Sequence, residues 1–163
     1  MNQLELSHTL RKEIIGQGRS VQIIASGYSM FPFLRKGDLL TVEPVSMDKI
    51  KRGDVVVFES EEKWIAHRVI KIRSKTEGLE FLLRGDTCIS FDPVVNERNY
   101  IGHISSYERN KTSVSFNIIT KKINTEIHLF GGVFLCRFLN YSIRFLNVLK
   151  SRQNEENNTK LKN

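Results

Sequence analysis

The sequence predicts a mainly β fold: coiled antiparallel sheets, as two abutting layers or a partly open barrel, with a short N-terminal helix and a C-terminal amphipathic helix. Three observations carry this. Between residues 21 and 116 the apolar residues come in short β-branched and aromatic runs rather than at helical spacing. Polar turns separate those runs, and three Gly-Asp pairs stand at Gly37-Asp38, Gly53-Asp54 and Gly85-Asp86. On both sides of that stretch the pattern changes to apolar or polar residues three and four apart.

In chain order, residues 1–18 read as the N-terminal helix. Leu6, Leu10 and Ile14 lie four apart, Ser7 is available as a cap, and Gly16 and Gly18 end the element. The β domain spans 19–120, with strands expected at 21–25, 39–42, 55–58, 64–72, 79–83, 100–107 and 114–116. Glycine reaches the positive-φ angles of tight turns and aspartate bonds nearby backbone, so Asp38 and Asp54 read as turn residues, and Arg84-Gly85-Asp86 as a turn rather than an adhesion motif.

Residues 127–151 form a predicted amphipathic helix. Its narrow polar stripe is Arg137, Asn140, Arg144, Asn147 and Ser151, and its broad apolar surface includes Phe134, Leu135, Phe138 and Leu139. Two arginines at the centre of a bilayer would cost roughly 2.5 to 3.5 kcal/mol each, so peripheral membrane contact is expected rather than a span. Docking on the β domain or on a partner is the alternative. Residues 152–163 mix Asn, Glu and Lys without periodicity and read as a disordered tail.

Composition narrows the class. A chain of 163 residues, 40% apolar and 26% charged, suits one globular domain with its own core. Cys88 and Cys136 lie in unlike surroundings with no C-x-x-C spacing, so free thiols are expected, and neither a metal nor another cofactor. The formal charge of +7 favours anionic partners, but no basic patch is interleaved with aromatics, and nucleic acid is not an expected partner. Glu5, Arg11, Lys12, Glu13 and Arg19 break any signal-peptide core, and no run of eighteen uncharged apolar residues occurs. The expected location is cytoplasmic, at a membrane surface where residues 127–151 bind one.

The residues that carry chemistry are Ser29, His67 and Asp92. A serine hydroxyl is a poor nucleophile until a base takes its proton, and the base needs a carboxylate to orient it. Ser29 opens the run Ser29-Met30-Phe31-Pro32-Phe33-Leu34, where Gly27 permits close backbone approach, Pro32 stiffens the chain, and Met30 and Leu34 anchor it. His67 lies in a strand whose alternation puts Ile65, His67 and Val69 on one face and Ala66, Arg68 and Ile70 on the other. Apolar neighbours favour the neutral imidazole that a general base needs. His8, His103 and His128 read as structural.

Four ordered signatures now stand together: the Ser-Met-x-Pro-x-Leu run, Gly53-Asp54 leading into Val55-Val56-Val57-Phe58, His67-Arg68-Val69, and Gly85-Asp86 with Asp92 beyond. The set resembles type I signal peptidases over roughly residues 26–102. Its histidine makes it most similar to the archaeal and endoplasmic-reticulum branch, since most bacterial members use lysine and Lys63 and Lys71 are out of register with His67.

The resemblance implies a signal-peptidase-like β architecture and a serine endopeptidase that cuts a leader or signal-like peptide through an acyl-enzyme. By position it implies Ser29 as nucleophile, His67 as general base, Asp92 as the third member and Asp86 in a supporting role. The backbone N–H of Ser29 is the implied first oxyanion donor. Three departures from the family pattern stand out: Gly85-Asp86-Thr87-Cys88 replaces the usual Gly-Asp-Asn-Asn, no N-terminal membrane anchor is read, and Gly27 offers no side-chain donor. The expected partner is a peptide or protein substrate. The alternative reading is a peptide-binding or scaffold module of the same fold without turnover. A self-cleaving repressor would need a serine–lysine pair and a DNA-binding segment, for which the stretch before Ser29 reads as too short.

Overall fold

The computed structural model describes residues 3–116, so the expected helix at 127–151 and tail at 152–163 lie outside the described residues. One helix, α1 (Gln3–Gly16), precedes seven strands: β1 (Val21–Ile24), β2 (Leu39–Glu43), β3 (Val55–Ser60), β4 (Lys63–Lys75), β5 (Gly78–Arg84), β6 (Tyr100–Arg109) and β7 (Thr112–Ser115). Every expected strand position holds a strand. Two expectations about the helix are corrected: Ser7 lies inside α1 rather than at its cap, and Leu10 is exposed. Among the described side chains, Ile14 and Ile15, at its end, pack against the first core, and Lys12 pairs with Glu59 of β3.

The helix stops where the sequence predicts, by an αL cap. Gly18 sits at φ +77°, its N–H bonds the carbonyl of Ile15 at 2.9 Å, and the N–H of Arg19 bonds that of Ile14 at 3.2 Å. This paired arrangement satisfies carbonyls the helix leaves open, and glycine alone adopts that φ without a Cβ penalty.

The strands form one antiparallel sheet in the order β1-β2-β6-β3-β4-β5, with β7 added to β6. One continuous sheet therefore replaces the two abutting layers. β6 is the reason: one edge takes β2, while the other takes β3 at residues 100–103 and β7 at residues 106–109.

Two apolar cores result. One gathers Met30, Leu34, Leu40, Val42, Ile104 and Phe116 with others, and the second gathers Met47, Ile50, Phe81, Leu83 and Val95. β3 feeds both, Val55 and Val57 into the first, Val56 and Phe58 into the second. That is why it reads as a continuous apolar run instead of an alternating one.

Candidate active site

Ser29 lies in the segment between β1 and β2, and that segment is anchored at several points. The N–H of Ala25 bonds the carbonyl of Asp38, and the N–H of Gly37 bonds that of Ala25, which closes the base of the loop. Met30 and Leu34 are buried in the first core, so the turn after Ser29 is pinned from below as their apolar character requires. The Phe31–Pro32 peptide bond is cis.

Asp38 is a turn residue, as expected, and more. Its Oδ2 accepts from the N–H of Arg35 at 2.7 Å, and both carboxylate oxygens accept from the Arg109 guanidinium, at 2.8 and 2.6 Å. Arg109 also donates to the carbonyl of Phe33. Burial pushes this carboxyl up, but the hydrogen bonds from Arg109 and Arg35 outweigh it and hold Asp38 below the ordinary aspartate range. Asp54 repeats the turn role on a smaller scale, accepting from the N–H of Lys51 at 2.8 Å.

His67 sits on β4 opposite Val56 of β3, almost fully buried, with its ring 6.1 Å from that of Phe58. Its Nδ1 is 2.6 Å from Asp92 Oδ2, and its Nε2 is 2.9 Å from Ser29 Oγ. With a carboxylate facing Nδ1, the neutral ring carries its proton there and donates it to Asp92, which leaves Nε2 to accept from the Ser29 hydroxyl. Three side chains from three separated segments thus form one hydrogen-bonded line. Asp92 is itself held by its N–H, which bonds the carbonyl of Leu83 at 3.0 Å.

Asp86 does not touch His67. It is buried and forms a two-pronged pair with Arg68, Nε to Oδ1 and a terminal guanidinium nitrogen to Oδ2, both at 2.7 Å. The remaining terminal nitrogen of Arg68 donates to the carbonyl of Gly53 at 2.8 Å, and Phe33 lies 5.3 Å from the guanidinium carbon. Arg68 therefore ties β4 to the loop after β5, to the Gly53 turn and to the serine loop. Sequence reading missed it. The available signal was a permanently charged residue between Ala66 and Ile70 in an apolar strand, which must be paired if buried.

The third Gly-Asp pair differs from the others. Gly37 and Gly53 have positive φ, as turns demand, but Gly85 is required by crowding. A Cβ there would lie 2.8 Å from Cys88 Sγ, 2.9 Å from His67 Nε2 and 2.9 Å from the carbonyl oxygen of Ser29. Thr87, in place of the usual asparagine, donates its N–H to the Ser29 carbonyl at 2.9 Å, and its hydroxyl lies 3.2 Å from the carbonyls of both Tyr28 and Ser29. The altered box still fastens the serine loop. Burial, reinforced by Asp92 and Asp86, pushes the Cys88 thiol up and keeps it protonated at neutral pH.

A pocket of about 150 Å³ opens beside Ser29, lined by Ile23, Ser26, Met30, Leu40, Trp64 and Ala66 among others. Among the described residues, β1 pairs with β2 alone, and β4 meets β5 from Arg68 onward. Among the described residues, the outer edge of β1 carries no further strand, and it lies beside the pocket. Among the described residues, no group of His, Cys, Asp or Glu side chains is arranged to hold a metal, and no helix is long and apolar enough to cross a membrane.

No protein-family model matches the chain. It is similar to the signal peptidase complex catalytic subunit SEC11C of Homo sapiens, of Mus musculus and of Canis lupus familiaris, each 38% identical over 76 residues. The match covers 45% of this chain and 39% of each relative. A mainly β chain that brings together a serine, a histidine and an aspartate is thus a distant homologue of the signal peptidase catalytic subunit.

Proposed function

We propose that the chain is a serine endopeptidase similar to signal peptidase, cutting a leader or signal-like peptide through an acyl-enzyme. The observation that carries the reading is the hydrogen-bonded line from Ser29 Oγ through His67 to Asp92, at 2.9 and 2.6 Å.

In this mechanism His67 Nε2 takes the Ser29 proton as Oγ attacks the scissile carbonyl, and Asp92 stabilises the imidazolium that forms. The tetrahedral oxyanion is met by the backbone N–H of Ser29. His67 then gives its proton to the departing amine, the C–N bond breaks, and the acyl half remains as an ester on Ser29. Water attacks that ester with His67 again accepting a proton, and Ser29 is regenerated with release of the new carboxylate. Asp92 stays ionised throughout.

The outer edge of β1, which carries no second strand among the described residues, suits an extended peptide that adds as a strand, and a pocket of about 150 Å³ suits a small side chain before the cut bond. Arg68 and Asp86 act as positioning residues, holding the strand that bears His67 and the loop that leads to Asp92.

Removing the hydroxyl tests the reading. Ser29→Ala should lower cleavage of a peptide carrying alanine before the scissile bond by roughly 10⁴ to 10⁶, with His67→Ala close behind, because such residues act as a unit. Equal turnover in Ser29→Ala and the unmodified protein would refute it.

A further inference from the structure

Three apolar side chains near the site have no part in the pocket just described. Tyr28 is 58% exposed, Ile89 62% and Phe91 48%. Their loops are stitched together at the reacting groups: Thr87 bonds the carbonyls of Tyr28 and Ser29, and Asp92, next to Phe91, bonds His67. Neither Tyr28 nor any residue of 85–94 lines the pocket, which is built from 23–27, 29, 30, 34, 40 and 64–66. The pocket and the exposed trio therefore share no residue.

Proton flow gives each of the two surfaces a role. His67 Nε2 must hand its proton to the departing amine, so the departing half of the peptide leaves past His67 and the loop that carries Asp92. Resting on the acyl-transfer reading above, we propose that Tyr28, Ile89 and Phe91 form the subsite for the leaving half of the substrate, and that it selects large apolar side chains just after the cut bond. Large apolar groups left in water beside a binding cleft mark a contact surface. Arg84, with its guanidinium carbon 5.3 Å from the Phe91 ring centre, braces that ring. Its charge also sets the subsite against lysine and arginine.

The test compares two fluorogenic peptides identical up to the scissile bond, with alanine before it and either phenylalanine or lysine after it. The unmodified protein should favour the phenylalanine peptide in kcat/KM by on the order of tenfold. Ile89→Ala with Phe91→Ala should bring that ratio near one, while Phe91→Tyr should retain it. A ratio unmoved by the double substitution overturns the subsite. So does a double variant that keeps the ratio but sediments less with anionic vesicles, since the trio would then be a lipid contact.

Acylation of the unmodified protein by a β-lactam-like reagent, read by mass spectrometry, separates the two levels. No adduct on Ser29 sinks the acyl-transfer reading and the subsite with it. An adduct together with an unmoved ratio sinks the subsite alone.

Discussion

At Gly85 the loop after β5 passes so close to the reacting groups that a single methyl would touch the His67 Nε2, the Ser29 carbonyl and Cys88 Sγ, all within 3 Å. Real Cβ atoms do not approach so closely, so something must move, and misplacement of a reacting group by about 1 Å can cost on the order of 10²-fold in rate. Gly85→Ala is therefore expected to slow acylation of Ser29 by about that factor. Adding Cys88→Ala relieves only one of the three contacts, so the double variant should stay slow. Recovery of full acylation in it would show that the thiol alone sets the crowding. At this scale the runs around Ser29 and His67 point to their meeting, while Asp92 enters through the resemblance alone, and the three side chains do form one hydrogen-bonded line. Arg68 was not legible, because alternation along a strand gives a side chain its face but not its partner.

Among the elements, the strands were legible and the turns between them less so. β3 announces itself through four consecutive apolar residues, Val55-Val56-Val57-Phe58, because both of its faces are buried. The β3–β4 hairpin gives no such signal. It turns through Glu61 and Glu62 at φ +50° and +60°, angles that favour Asn-Gly, and Ser60 pairs directly with Lys63. Glutamates there carry the strain of the αL region, and two like charges stand side by side. Replacing them by Asn-Gly should stabilise the fold by about 1 kcal/mol, a rise in Tm of roughly 2–4 °C for a chain of this size. Thermal melts of the variant and the unmodified protein check it, and an unchanged or lower Tm would contradict the strain. The corresponding β6–β7 turn uses Asn110-Lys111 at similar angles, with asparagine where it is best tolerated.

For the whole molecule, the contacts that matter most join segments distant in the chain, and a single sequence does not display them. β6 pairs with β2, β3 and β7, and this sharing makes one sheet where two layers were an open alternative. The Asp38–Arg109 pair spans 71 positions and fastens the serine loop to β6. Its pH behaviour follows from the lowered Asp38 pKa. The stabilisation is fully present above the ordinary aspartate value and is lost as pH falls through the lower folded value, so the loss belongs below about pH 4. Asp38→Asn keeps the shape but gives up the charge, and should cost about 1–3 kcal/mol at neutral pH. Urea melts from pH 6 down to pH 2 should find that difference shrinking toward acid; a constant gap would exclude the ion pair as its source.

The Ser29 hydroxyl and the His67 ring are 38 positions apart, and that ring is 25 from the Asp92 carboxylate. A chain still emerging during synthesis carries Ser29 long before β4 and the loop beyond β5 exist to meet it. Until they close over it, that alcohol has no proton acceptor and is as inert as any other. On the acyl-transfer reading, a half-made copy that ends before Asp92 therefore cannot cut.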